Sequence, residues 1–187
     1  MKDEINNALE ILQKGGIILY PTDTIWGIGC DATNEKAVKK IYEIKKRTDS
    51  KSMLVLIDNE NRIRQYVVAV PEIAWDLLEV SDTPMTIIYP EAKNLAENLI
   101  AEDNSIGIRV TNEEFSQTLI KRFKRPIVST SANYAGEPAP ANFSEISEGI
   151  KKEVDYVVNW KQKEKSKNKP SSIIKIGVDS QVKIIRK

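Results

Sequence analysis

Histidine is missing from this 187-residue chain. That excludes Ser-His-Asp and Cys-His catalysis, histidine zinc sites and any imidazole general base. Cysteine is nearly missing too: Cys30 stands alone, so no internal disulfide framework exists, and a reducing, cytoplasmic setting is expected. Aromatic residues make up only 6%, too few to suggest a platform for stacking nucleic-acid bases. A net charge of +1 provides no whole-surface field for a polyanion. No apolar run is longer than a strand, so no membrane association is expected, and Met1-Lys-Asp-Glu4 lacks the apolar core of a secretory signal. Chemistry must therefore rest on Lys, Arg, carboxylates, hydroxyls, backbone dipoles or a hard metal ion. Reactions governed by positioning and charge neutralisation, such as nucleotidyl transfer, suit that list.

What is present describes an ordinary globular protein, with 41% hydrophobic and 29% charged residues. The length supports one sizeable core, and residues 1–187 read as a single domain. Ile5, Ala8, Leu9 and Leu12 fall at helical spacing, and Gly15-Gly16 ends that helix. Asn34 is placed to cap a second helix whose stripe is Ala37, Val38, Ile41 and Ile44. Pro71 opens a third, carrying Ile73, Ala74, Leu77 and Leu78, and a fourth runs from about Glu113 to Arg122. Strands are expected at 17–20, 53–57, 85–89, 106–110, 127–128, 154–158, 172–176 and 182–185. Several follow one another without an intervening helix, which predicts an α/β fold with a mixed parallel and antiparallel sheet. The lysine-rich stretch 161–169 reads as an exposed loop.

Two segments stand out. Gly15-Gly-Ile-Ile-Leu-Tyr-Pro-Thr-Asp-Thr24 and Ser129-Thr-Ser-Ala-Asn133 each carry a short apolar run into small polar side chains. Strand ends in open α/β sheets hold loops that offer hydroxyls and backbone N–H groups to ligands. With basic residues between and beyond them, they describe a pocket for an anionic small molecule. Lys45 and Arg47 would diverge by roughly 200° on an intact helix, so their joint use requires the helix to end or distort there.

Taken in order, Tyr20-Pro-Thr-Asp-Thr-Ile-Trp-Gly-Ile-Gly29, Lys45-Lys-Arg47 with Lys51, Ser105-Ile-Gly-Ile-Arg109, Ser129-Thr-Ser-Ala-Asn133, Pro170-Ser-Ser-Ile-Ile174 and Ile184-Ile-Arg186 resemble the YrdC-type threonylcarbamoyl-adenylate synthases. The resemblance runs from Gly15 to Arg186. It implies a twisted, open sheet with flanking helices, curved around a deep, concave basic cavity. The implied activity joins L-threonine, bicarbonate and ATP into threonylcarbamoyl-AMP, releasing pyrophosphate, for threonylcarbamoyladenosine modification of tRNA. It assigns Thr24, Arg109, Ser129 and Ser172 to threonine, and Arg47, Lys51, Ser105, Ser131, Asn133 and Arg186 to ATP. Lys45 and Arg47 are the implied catalytic pair at the carbamate and phosphate. Mg2+ would be held mainly by phosphates, with no dedicated metal ligands and Asp23 only a supporting group. A tRNA contact and a downstream tRNA threonylcarbamoyl transferase complex are the implied partners.

Plainer readings exist. Thr22 to Thr24 could form a side-chain-stabilised turn, Lys45 to Lys51 a solvated helix end, Asn133 a turn residue and Arg186 a solvated charge. Thr48 and Ser52 stand where family members often carry proline, Thr111-Asn-Glu113 replaces a proline-histidine segment, and Leu56 lies near a family histidine position. The competing functions are an RNA-binding paralogue without synthase activity and a carbamoyl-adenylate enzyme.

Overall fold

The structure, a computed structural model, describes residues 1–46, 53–164 and 169–187. The first helix, α1 (Lys2–Gln13), buries Ile5, Ala8 and Leu12. It closes with Gly15 at φ 75°, while the amides of Gly15 and Gly16 reach back to the carbonyls of Leu12 and Ile11. A residue with a Cβ would be strained in that left-handed cap. The following α2 (Glu35–Ile44) is capped by Asn34, whose side chain accepts from the amides of Lys36 and Ala37, and its buried stripe is the expected one.

Three strands, β4 (Met85–Tyr89), β5 (Ile106–Val110) and β8 (Ser172–Ile176), occupy the expected spans, and β3 (Leu54–Ile57), β6 (Ile127–Ser131) and β9 (Val182–Arg186) differ by one to three residues. The first strand, β1 (Ile18–Tyr20), starts one residue late, and β7 (Tyr156–Val157) keeps only the centre of its predicted run. Helix α4 (Ile73–Val80) begins two residues after Pro71, and α5 (Glu114–Phe123) is shifted by one; the short α3 (Ile63–Tyr66) and α6 (Glu148–Glu153) were not predicted.

One strand escaped the periodicity altogether. Gly27-Ile-Gly29 is β2, antiparallel to β1 and to β6. Two glycines leave no alternating side-chain pattern to read, yet Gly29 is required by the packing. A Cβ there would come within 2.6 Å of both Tyr20 Cε1 and the Val128 carbonyl oxygen. The sheet order is β7-β1-β2-β6-β3-β5-β4-β8-β9. Pairs β1/β7, β3/β5 and β4/β8 are parallel and the rest antiparallel, so the mixed sheet follows as expected.

Strand alternation separates two cores. Val55, Ile57, Ile87, Ile106, Ile108 and Val128 pack with α2 and α4 on one face. On the other, Ile18, Tyr20, Leu56 and Ile127 pack beneath Ile5 and Leu12 of α1 and Phe115, Leu119 and Ile120 of α5. Those two helices meet β1, β3 and β6. Toward β5 and β8, side chains of that second face line a cavity.

Candidate active site

The β1–β2 connection is folded by its own hydroxyls. Thr22 Oγ1 donates to the Ile25 carbonyl (2.8 Å) and accepts from the Thr24 amide (3.1 Å), and the Thr22 and Thr24 hydroxyls lie 3.1 Å apart. The turn reading of this segment is thus correct for Thr22, and the turn it makes delivers Thr24 to the cavity wall. Asp23, between them, faces Arg109: Nη2 of the arginine lies 3.0 Å from Asp23 Oδ1 and 3.4 Å from Thr22 Oγ1.

Arg109 projects from β5 with the parity opposite to Ile106 and Ile108, which puts it on the cavity face. It is 3% exposed, and its Nε has no hydrogen-bond partner among the described residues. A buried N–H without a partner costs about 1–3 kcal/mol, which an incoming oxygen would recover. Ser129 and Ser131 come from β6, Ser129 opposite Leu54 of β3, and both line the same space. Arg186, the last residue of β9, donates from Nε (2.9 Å) and Nη2 (2.7 Å) to the Ser171 carbonyl.

Thr24, Arg109, Ser129, Ser131 and Arg186, assigned from distant parts of the sequence, thus meet around one cavity of about 210 Å³. Arg186 has its pKa drawn below the usual arginine value, first by burial and then by the neighbouring charge of Arg109. Two guanidiniums that repel each other across a hollow describe a seat for an anion.

Lys45 behaves differently from the expectation of a side chain open to substrate. Its Nζ donates to the carbonyls of Ser131 (2.6 Å) and Asn133 (2.7 Å), and the residue is buried. The helix does end where a joint role with Arg47 required: α2 stops at Ile44, Lys45 has ψ −4° and Lys46 turns to φ 50°. Lys46 then stacks over the Tyr134 ring, and the Ala135 amide donates to the Lys45 carbonyl. The end of α2 is therefore stitched to the loop after β6. Asn133 serves that loop, its side-chain amide donating to the carbonyls of Tyr134 and Glu137. Arg47 and Lys51, with Thr48 and Ser52, lie outside the described residues.

Lys45 and Asn133 are not on the cavity wall, and neither are two further assigned residues, Ser105 and Ser172. Ser105 precedes β5, at the end far from Arg109, and its hydroxyl donates to Asp103 Oδ1 (2.5 Å). Asp103 also pairs with Lys175, and these two partners lower its pKa to about 2. Ser172 pairs with Met85 and shares the parity of Ile174 and Ile176, which pack in the opposite core. Its neighbour Ser171 takes the cavity position, with its hydroxyl 2.8 Å from that of Thr86. Alternation read back from Ile174 and Ile176 would have selected Ser171 over Ser172.

A larger space of about 610 Å³ opens beside α4 and is lined by Asp23, Glu60, Glu79 and Asp82 with Trp75 and Leu78. Despite its size, its lining among the described residues holds carboxylates and no lysine or arginine, the wrong sign for a triphosphate. The smaller, cationic cavity is the better candidate. Among the described residues no trio of Cys, Asp or Glu is arranged to hold a metal, and no helix is long and apolar enough to cross a membrane.

The profile of the Sua5/YciO/YrdC family, described as "Telomere recombination", matches residues 10–187. The chain belongs to the Sua5/YciO/YrdC family. A threonylcarbamoyl-AMP synthase of Pseudoalteromonas translucida is 32% identical over 155 residues, covering 81% of this chain and 83% of that protein. Among solved structures, Escherichia coli YciO superposes with a TM-score of 0.86 at 25% identity, covering all of this chain and 90% of its own. The Pyrococcus abyssi Sua5 complex with L-threonine gives a TM-score of 0.81 at 23% identity. That alignment covers 91% of this chain but only half of the Sua5 chain. The mixed open sheet with flanking helices is the architecture of the Sua5/YciO/YrdC proteins, as the resemblance implied.

Proposed function

We propose that this chain is an L-threonylcarbamoyladenylate synthase, a nucleotidyltransferase that joins L-threonine, bicarbonate and ATP and releases pyrophosphate. The observation that carries the proposal is the convergence of Arg109, Thr24 and Ser129 with Ser131 and Arg186 on one cationic cavity, in a chain of this family. We assign the threonine carboxylate to the buried Arg109, whose unpartnered Nε fits an incoming oxygen. Thr24, Ser129 and Ser171 supply hydroxyls for the amino acid's polar groups. The volume of 210 Å³ lies below the roughly 300–1,000 Å³ of most small-molecule sites. It suits an amino acid, with the nucleotide extending past its rim toward Ser131 and Arg186.

In the reaction, the threonine amine captures carbon dioxide from bicarbonate as a carbamate, with loss of water. A carbamate oxygen then attacks the α-phosphorus of ATP, and the bond to the bridging oxygen breaks to release pyrophosphate. Both reactants are anions, so the protein's task is to hold them together against repulsion. Arg109 and Arg186 supply fixed positive charge from two sides. Lys45 brings its charge to the Ser131–Asn133 backbone, and Arg47 and Lys51 are assigned by family resemblance to the phosphates. Mg2+ would arrive on the triphosphate, held by phosphate oxygens and water, and would neutralise charge on the leaving group. We further propose that residues 1–187 act as one YrdC-like domain in the cytoplasm, and that the labile product passes to a tRNA threonylcarbamoyl transferase complex.

The test is pyrophosphate release by purified protein, with each substrate omitted in turn. Release that needs threonine, bicarbonate and ATP together is the expected result. Release without threonine would point to carbamoyl-adenylate chemistry, and no release to an RNA-binding paralogue.

A further inference from the structure

We propose that Asp23 is a positioning residue for substrate recognition: it holds Arg109 by Nη2, leaving the Nε edge of the guanidinium turned to the carboxylate of the amino-acid substrate. The inference rests on the assignment of Arg109 to threonine made above.

The geometry separates the donors of one guanidinium. Nη2 is occupied by Asp23 Oδ1 at 3.0 Å and Thr22 Oγ1 at 3.4 Å, both on the β1–β2 turn. Nε, on the same group, is buried with no partner among the described residues. An arginine on a strand has several χ angles to settle, and an ordered fork recognises a carboxylate only if its plane is set beforehand. Asp23 and Thr22 hold it at Nη2, beside the unpartnered Nε. Because Thr24 belongs to the same turn, the contact also ties two cavity residues, from β5 and from the β1–β2 connection, into one unit.

Stability alone gives Asp23 little reason to be there. The pair is deeply placed, with Arg109 3% and Asp23 11% exposed, and desolvating two charges offsets most of their attraction. The contact is not even an aligned hydrogen bond at Oδ1. Burial outweighs the attraction of Arg109 and raises the Asp23 pKa, and Glu113 at the start of α5 pushes in the same direction. Glu113 is itself paired with Lys161 at 3.3 Å. On its other side Asp23 looks into the acidic space shared with Glu60, Glu79 and Asp82, where no second cation among the described residues competes with Arg109. A costly carboxylate whose cationic partner is the arginine assigned to substrate is explained by what it does to that arginine.

The experiment compares wild type with Asp23→Asn and Asp23→Ala, using threonine-dependent pyrophosphate release, calorimetric titration with L-threonine alone, and thermal melting. Asparagine keeps the size and one acceptor oxygen but loses the charge; alanine loses both. The expected result is a threonine KM raised about tenfold in Asp23→Asn and further in Asp23→Ala, with the KM for ATP unchanged; loss of the counter-charge of the buried Arg109 should lower the melting temperature in both variants. In wild type the threonine KM should also rise as the pH falls and Asp23 protonates, and this limb should vanish in Asp23→Asn. An unchanged threonine KM in both variants would overturn the inference. So would a parallel rise in the KM values for threonine and ATP, which marks a merely structural role. If wild type binds threonine but releases no pyrophosphate, the synthase reading fails while calorimetry still decides the role of Asp23. Absence of threonine binding to wild type would overturn both.

Discussion

The two walls of the cationic cavity are built on different terms. One wall consists of Thr24, Arg109 and Ser129, all buried, held by β5, β6 and the hydroxyl-locked turn after β1. The other consists of Ser171, Ile173 and Arg186 on the β8–β9 hairpin, where β9 is the edge of the sheet and every one of its residues is exposed. Arg186 reaches its place by gripping one backbone carbonyl, that of Ser171. Elements with few buried contacts open at lower free energy than core strands. On the proposed function the contrast fits a division of labour, the buried wall for a small amino acid and the edge hairpin for a nucleotide that must be admitted and released.

The strongest way to break that comparison is Arg109→Ala. It should leave Asp23 as an uncompensated buried charge and cost about 3–5 kcal/mol of stability, read by urea denaturation. Threonine-dependent pyrophosphate release should fall by roughly 100-fold or more where the protein remains folded. A variant with full stability would show that the buried wall does not depend on its ion pair. Next in size is Lys45→Met, which removes two charge-assisted hydrogen bonds to the Ser131 and Asn133 carbonyls. A loss of about 2 kcal/mol in denaturation is expected, with turnover falling more than the threonine KM rises.

Arg186→Ala sharpens the other side. The KM for ATP should rise about tenfold, equivalent to about 1.4 kcal/mol. Stability should change by less than about 0.5 kcal/mol, because the side chain sits on an exposed edge. Equal loss of stability in the Arg109 and Arg186 variants would erase the distinction between the walls.

The smallest effect concerns Asp103, pairing with Lys175 of β8. Its pKa is lowered from 3.8 to about 2, so the contribution is complete above the ordinary value and is lost as the pH falls through 2. The group is mostly exposed and solvent screens it, so Asp103→Asn should remove well under about 1 kcal/mol. Acid titration of stability in the two proteins checks the window. Asp23 has the opposite sign. With its folded pKa raised, it favours the folded state less as the pH rises through that pKa.

Much of the scaffold was legible because burial is written in periodicity. The stripe of α2, its Asn34 cap and the runs at β4, β5 and β8 required no tertiary knowledge. Strand β2 was not legible, since its two glycines carry no side-chain pattern and Gly29 is required by the closeness of Tyr20 and Val128. At the site, Thr24, Arg109, Ser129, Ser131 and Arg186 could be named from motif strings, yet Ser172 was named where Ser171 faces the cavity. A string gives adjacency, whereas facing depends on which neighbour the strand turns toward the core. Lys45 shows the same limit: its residue type announces a cation, but only the fold brings it to two carbonyls nearly ninety positions away.

By itself the sequence determined which chemistry was open to this protein, by omitting histidine and nearly all cysteine, and where its longer helices and most of its strands would lie. Local spacing and side-chain type suffice for that. Only the tertiary structure decided that Asp23 meets Arg109, that Arg186 stands across from it and that Lys45 secures the loop after β6. These contacts join residues far apart in the chain, and their energy depends on burial and orientation that no local pattern records.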